Sequence, residues 1–556
     1  MKTLGISLCV LGGVLWAACG GGDGAVDAGP GVDASAAPDG GAADAGADSG
    51  FDAGWPPVAR PPTTVKVTLS PRLPLEKQDE SLSDDFGEYS MNGPGEPHIL
   101  RDDLGTAGHR SGTPAPKSVL YIGHTSDNHV VDFQSPARVV RLDNPKNAGA
   151  YRPQEGFAIA LFDQMLKTFN AFSYFRKLDA LVLTGDGIDN NHYNEVRLFV
   201  DALDGKTVDP NTGGYPFSGD FNMCSPVSAR GIDPAVPWFY VIGNHDILMQ
   251  GNFEVVSRAL TPDEQEVQIS ESGFYKTAVG DKSDTVIECQ EGPLNPMDLK
   301  SGVVTPNPDR RFLTHRQMIE EFFVTTGLPS GHGFMQSSID ADLGVYTADL
   351  GEGAPVRLVA FETAHPEAND EGYVLRTVVD GFLKPELERA KNDGVLVVVA
   401  SHHPSWAIVE KSEVRSDELV GLLASYPNVI LHLVGHGHSN TVTPHPSGNA
   451  DGTGYWEVEA TSTIDFPQQA HLVEIVDDGD GTGSVYVTVI NHDAPEGSVA
   501  WRARALSILD IQTGADPDPD TGGVSDRNVI LKFLVADAAK PKLAAIPARE
   551  VETLNY

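Results

Sequence analysis

Residues 181–189 read Leu-Val-Leu-Thr-Gly-Asp-Gly-Ile-Asp. An apolar run broken by Gly185 and followed at once by Asp186 and Asp189 predicts a short buried strand ending in a polar turn. The same pattern recurs along the chain. Ser118–Gly123 leads into His124, Asp127 and His129; Trp238–Gly243 leads into Asn244, His245 and Asp246. Val395–Ser401 leads into His402 and His403; Val429–Gly435 leads into His436 and His438. Helical patterns at Gly156–Leu178, Asn194–Leu203, Gly381–Lys391 and Ser416–Tyr426 lie between several of these runs. Strands alternating with helices predict an α/β fold, with its site beyond the carboxyl ends of the strands. All five ligand-bearing ends are therefore expected at one edge of one sheet. If the chain stays extended past each strand, Asp127 with His129, and His436 with His438, point the same way two residues apart.

The donor set is carboxylate, imidazole and one amide, with no thiolate. Mixed N/O donors suit Mn, Fe, Zn, Co or Ni better than Cu(I) or an iron–sulfur cluster. Only 4 Cys occur in 556 residues, so neither a thiolate site nor a disulfide scaffold is expected. Cys224 and Cys289 are the cysteines beyond the N-terminal segment, and they are free to pair in an oxidising compartment. The balance of 39 Lys+Arg against 78 Asp+Glu gives a net charge of −39. Such a surface repels a phosphate backbone and an anionic bilayer, so polymeric nucleic acid and polybasic membrane attachment are excluded as partners. There is no Gly-x-Ser-x-Gly elbow and no Gly-x-x-x-x-Gly-Lys-[Ser/Thr] loop, which removes serine hydrolase and P-loop NTPase readings.

The N-terminus carries a different signal. Lys2 precedes an apolar run, Leu4–Ala18, that is too short to span a bilayer and suits the core of a signal peptide. It ends in Trp16-Ala17-Ala18-Cys19, which resembles a bacterial lipoprotein processing site with Cys19 as the lipidated residue. Residues 20–60 are rich in Gly, Ala and Asp, cannot bury a core, and are expected to be a disordered tether. The expected location is the bacterial cell envelope or cell surface, with membrane contact only through the lipid.

Asp127-Asn-His129, Gly185-Asp186-Gly-Ile-Asp189, Gly243-Asn244-His245-Asp246, His402 and Gly435-His436-Gly-His438 together resemble the calcineurin-like metallophosphoesterases, in the family's order. The segment Thr461–Gln469 is similar to one in exported members with long insertions. The resemblance implies a β-sandwich flanked by helices over residues 117–495, with insertions at about 207–237 and 248–344. An N-terminal extension (61–116) would precede this domain, and a C-terminal segment (496–556) would pack on it.

Carried over residue by residue, the resemblance gives one metal Asp127, His129, Asp186 and His438. The second takes Asp186, Asn244, His402 and His436. His245 becomes the leaving-group acid with Asp246 as its orienting partner. Asp189 is expected to hold a ligand or the turn; of His402 and His403, alignment on the following Pro404 favours His402 as the ligand and leaves His403 near the substrate. The implied reaction is hydrolysis of a small phosphomonoester or phosphodiester by a hydroxide bridging two divalent or trivalent ions. A surface lipoprotein using the fold only for binding is the rival reading. His124 and Asp132 are expected to be structural. Asn190, Asn191, His192 and Asn194 either line the pocket or merely begin a helix. The acidic stretches Asp477–Gly483 and Asp516–Asp520 lack the Gly and Glu positions of a calcium loop; the first is expected to be a hairpin turn.

Overall fold

The expected β-sandwich flanked by helices forms: its strands lie in two sheets, not in the single sheet that the strand pattern alone predicts. The computed structural model describes residues 68–71, 89–92, 96–142, 150–256, 261–270, 273–280, 283–292, 299–448, 454–513 and 522–555, all within the unit spanning residues 56–556. The expected leader (1–19, with Cys19), the tether (20–60) and the acidic loop 516–520 lie outside the described residues. Among the described residues no helix is long and apolar enough to cross a membrane.

In chain order the strands of the two main sheets are β1 (Ile99–Arg101), β2 (Lys117–Thr125), β3 (Ala180–Leu183), β4 (Trp238–Tyr240), β5 (Tyr346–Leu350), β6 (Val356–Ala360) and β7 (Leu396–Ala400). They continue with β8 (Val429–Val434), β9 (Thr441–Pro446), β10 (Gly454–Glu459), β11 (Gln469–Asp477), β12 (Thr482–Asn491) and β13 (Val529–Leu534). The seven-stranded sheet has the order β1-β13-β12-β11-β2-β3-β4, and the six-stranded sheet β5-β6-β7-β8-β10-β9. Helices α1 (Ala158–Phe175), α2 (Tyr193–Leu203), α3 (Lys384–Asp393), α4 (Ser416–Ala424) and α5 (Val499–Thr513) accompany them.

Uninterrupted apolar runs mark strands covered on both faces. Every residue of β3, β7 and β8 is buried. Neighbours β2, β3 and β4 run parallel, as do β6, β7 and β8, with α1 crossing from β2 to β3, α3 from β6 to β7 and α4 from β7 to β8. Helix α3 continues from helical turns at Arg376–Leu383 and ends at Gly394 in the left-handed region, a standard helix stop. One core takes Leu120, Ile122 and Val182 from the first sheet with Leu358, Val398 and Leu431 from the second. Each such side chain contributes roughly 1.5–3 kcal/mol on burial.

The single-sheet expectation is thus corrected. Ligand-bearing ends come from β2, β3 and β4 of one sheet and from β7 and β8 of the other, because each sheet holds its own parallel run. The C-terminal segment is also more than a covering. Strand β13 pairs with β12 on one side and β1 on the other, so the first sheet is incomplete without it. The stretch Asp477–Gly483 closes the β11–β12 hairpin as expected, and Asp478 is held there by Lys532 Nζ at 2.6 Å. Cys224 and Cys289 form a disulfide that ties the insertion at 207–237 to the one at 248–344.

Candidate metal centre

The turns after the strands are not extended. Asp127, His129, Asp186, His436 and His438 have φ of 53, 44, 49, 75 and 54°, all in the left-handed region. The expectation that Asp127/His129 and His436/His438 align through strand alternation is therefore wrong; sharp turns aim them instead. Each such residue costs about 1–3 kcal/mol unless its surroundings hold it. Here the turns brace one another: Asp127 N–H donates to Gly185 O, and His129 N–H to Asp186 O, both at 3.0 Å. The glycines of the motifs follow from the same crowding. Gly185 sits at φ +103°, where a Cβ would lie 2.6 Å from His402 Nδ1. A Cβ on Gly435 would collide with Ser126 Oγ and Asp127 Oδ2.

Side chain after side chain shows one arrangement, with the back atom fixed and the front atom turned inward. Asp127 Oδ2 accepts His436 N–H at 3.0 Å, while its Oδ1 is buried without a hydrogen-bond partner. Asp186 Oδ1 accepts His245 N–H at 2.9 Å, leaving Oδ2 facing His402 Nε2 at 3.1 Å. Asn244 Nδ2–H donates to Gly251 O at 3.2 Å, and its Oδ1 stands 3.0 Å from His402 Nε2. His402 Nδ1–H donates to Thr184 O at 2.7 Å. His129 Nδ1–H donates to Asp189 Oδ1 at 3.1 Å, and His438 Nδ1–H to Asp465 Oδ2 at 2.7 Å. Their Nε2 atoms then face each other at 3.2 Å, with Asp127 Oδ1 3.2 Å from His438 Nε2. Two imidazole nitrogens and a carboxylate oxygen that meet within 3.2 Å favour positive charge between them, a proton or a metal ion. The donors Asp127, His129 and His438 form one metal-capable group, and Asp127, Asp186 and His402 another. A divalent cation suits both by charge and by donor type, and the fixed back atoms are the support that metal-binding imidazoles need.

Titration follows this charge layout. Burial depresses the His402 and His438 imidazolium forms, but Asp186 beside the first and Asp127 beside the second outweigh it, raising them to about 9 and 10. Burial and the neighbouring imidazoles push His129 down to about 4 and His436 to about 3. For His245, burial is overcome by Asp186 and Asp189, and its pKa is raised.

His245 Nδ1–H donates to Asp189 O at 3.1 Å with Asp189 Oδ1 at 3.2 Å, and its Nε2 lies 4.0 Å from Asp186 Oδ2. Asp189, not Asp246, is thus the carboxylate that meets this ring. Asp246 points away because it is spent on its own turn. It accepts Tyr240 Oη–H at 2.8 Å and the N–H groups of Gly243 and Asp186 at 2.7 and 3.1 Å. Burial, then the charge of Asp186, pushes its carboxyl up to about 7.

His403 uses both ring nitrogens elsewhere, with Thr363 Oγ1 at 2.8 Å and Asp370 O at 3.2 Å, although its ring lies 4.5 Å from that of His436. His124 meets Thr184 Oγ1 at 3.0 Å, and Asp132 binds Arg310 Nε at 2.9 Å; both are buried frame. Asn190, Asn191, His192 and Asn194 are buried and bonded to Glu195, Asp246 O, Ser135 and Asp132, so they do not line a pocket.

Sequence reasoning missed Asp465 and Arg152. Arg152 Nε binds Asp465 at 2.9 Å, and its Nη1 lies 3.6 Å from Asp189, bracing the carboxylates behind His438 and His129. Asp465 lies in the segment Thr461–Gln469 singled out above; nothing in the spacing of Arg152 marks it.

The model of the calcineurin-like phosphoesterases matches residues 120–440, more than half of the chain. The chain belongs to this family. No curated protein sequence matches it. Among solved structures, this phosphoesterase is similar to purple acid phosphatase PPD1 of yellow lupin (Lupinus luteus), at 10% identity over 72% of this chain and 55% of that one, TM-score 0.30. It is similar to the Thermus thermophilus sulfate thiohydrolase SoxB, at 12% identity over 71% and 61%, TM-score 0.28. A third is the Haemophilus influenzae NAD nucleotidase NadN, at 8% identity over 78% and 60%, TM-score 0.28. The chain therefore spans between 55% and 61% of the length of those chains.

Proposed function

We propose that this phosphoesterase family member is a dinuclear metal-dependent hydrolase of a small phosphomonoester or phosphodiester. The observation that carries this reading is the set of overlapping donor groups, Asp127/His129/His438, Asp127/Asp186/His402 and His402/His403/His436, with the back atoms of Asp127, His129, Asp186, Asn244, His402 and His438 each hydrogen-bonded. Asp127, His129, Asp186 and His438 would hold one cation, and Asp186, Asn244, His402 and His436 the other. Mn, Fe, Zn and Co all fit these donors. Such ions, when bound, polarise phosphoryl oxygens, neutralise developing charge and lower the pKa of a bound water toward neutrality.

The chain's own residues supply the rest. His245, fixed through Nδ1 by Asp189, carries a proton at Nε2 for the leaving oxygen. Asp189 sets the tautomer of both His129 and His245. Asp246 belongs to the frame of the turn that presents Asn244 and His245. The net charge of −39 favours a small anion drawn by buried cations over a polymeric one. The N-terminal pattern ending at Cys19 and the acidic tether support export and lipid anchoring, and the Cys224–Cys289 bond is in keeping with an oxidising compartment.

Elemental analysis of purified protein, with turnover of a generic aryl phosphomonoester and phosphodiester, tests this function. Two transition-metal ions per chain and hydrolysis of either ester are expected. Protein that neither retains nor takes up metal would instead be the non-catalytic binding module.

A further inference from the structure

The solvent side of the site is formed by polar, partly open residues, His245, His436 and His438, and by one large apolar side chain. Trp406, in the turn Ser405–Ala407 after His402, is 55% exposed, and its ring centroid lies 6.0 Å from that of His436. Among the described residues it is the exposed large apolar side chain whose ring meets a site imidazole. An indole in water needs a reason. It is also held in place. Its edge lies close against Gly437, where a Cβ would come 3.0 Å from Cζ2, and Nε1–H donates to Glu459 Oε2 at 3.3 Å. Glu459 is itself 3% exposed at the end of β10. A buried carboxylate anchors one edge of the ring while the rest faces solvent beside the proposed metals.

We propose that Trp406 is a stacking platform for an aromatic ring on the leaving group, so that the substrate is an aryl or nucleoside phosphate ester. This rests on the phosphoesterase reading above. A flat ring laid on the exposed indole gains dispersion and sheds water from both faces, whereas an alkyl group gains little. The gain is made before and during the reaction alike, so it lowers KM more than it raises kcat.

The test uses metal-loaded protein and two ligands that cannot be hydrolysed, phenylphosphonate and methylphosphonate, titrated calorimetrically into wild type, Trp406→Ala and Trp406→Phe. Wild type is expected to prefer the phenyl compound by roughly tenfold or more, the usual order for one aromatic stack. Trp406→Ala should abolish that preference and Trp406→Phe should keep most of it. No preference in wild type, or one that survives in Trp406→Ala, overturns the platform. The non-hydrolysable phosphonate analogues of adenosine 5′-monophosphate and ribose 5-phosphate identify the source of the ring: a preference for the former that vanishes in Trp406→Ala marks a nucleobase, its absence a simple aryl group. A wild type that shows the phenyl preference yet hydrolyses neither an aryl phosphomonoester nor an aryl phosphodiester would keep the platform and refute the phosphoesterase reading.

Discussion

At the scale of single residues, Asp186 and His245 are the informative pair. They lie 4.0 Å apart, and distance alone groups His129, Asp186 and His245 as metal-capable donors. Their assigned roles nonetheless differ. Asp186→Asn removes the carboxylate proposed to touch both ions, so at least one ion should be lost on elemental analysis. His245→Ala should keep both ions and still slow turnover by roughly 10²–10⁴-fold, most for a leaving group of high pKa. Metal loss in His245→Ala would make it a ligand and remove its assignment as acid. Asp465 gives a second test: Asp465→Asn weakens the hold on His438 Nδ1, and metal affinity from competition with a chelator should fall roughly 10–100-fold. An unchanged affinity would show that His438 needs no such partner. The donors themselves were legible in the sequence because each follows a strand, and all but His402 an apolar run that ends in glycine. Asp465 and Arg152 were not, since an orienting contact depends on which loops meet, and no local period records that.

At the scale of elements, strand positions could be read from apolar runs, while the path of the chain beyond them could not. Alternation holds only while backbone stays extended, and the left-handed turns at Asp127, His129, His436 and His438 end it. Apolar runs alone did not show the division into two sheets, because a buried parallel strand looks the same in either; the β-sandwich was legible only through the motifs' resemblance. The insertions hold short elements whose stability rests on individual contacts. The helix His315–Glu321 begins with Thr314 and Gln317 capping each other, and His315 reaches Asp342 at 2.9 Å and Glu362 at 2.6 Å. Burial opposes the charge on His315, but Glu362 and Asp342 prevail and raise its pKa to about 10. A raised histidine stabilises the fold fully below its unfolded pKa, roughly 6.5, and loses that contribution as pH climbs through the folded value. The Tm deficit of His315→Gln relative to wild type should therefore be largest near pH 6 and shrink toward pH 10.5. A deficit independent of pH would exclude the ion pairs as its cause.

At the scale of the whole molecule, the disulfide joins Cys224 to Cys289, 65 residues apart in sequence. Closing a loop of that length in the unfolded chain is worth about 2–4 kcal/mol. The Cys224→Ala/Cys289→Ala variant should show a lower urea midpoint by a corresponding amount, and an unshifted midpoint would mean the bond stabilises nothing. For anchoring, Cys19→Ser should move the protein from the membrane to the soluble fraction; membrane retention equal to wild type would refute lipidation at Cys19. The division of the site between two sheets also bears on timing. A nascent chain that has emerged only as far as Asn244, just past β4, carries Asp127, His129, Asp186 and Asn244, a set with a single imidazole among the proposed ligands. His402, His436 and His438 come far later, Asp465 after them, and β13 completes the first sheet near the very end. Loading with metal is therefore the closing event of maturation. Were the chain exported unfolded, as proposed, its ions would come from the supply outside the cytoplasm, and that supply would select among the metals its donors fit.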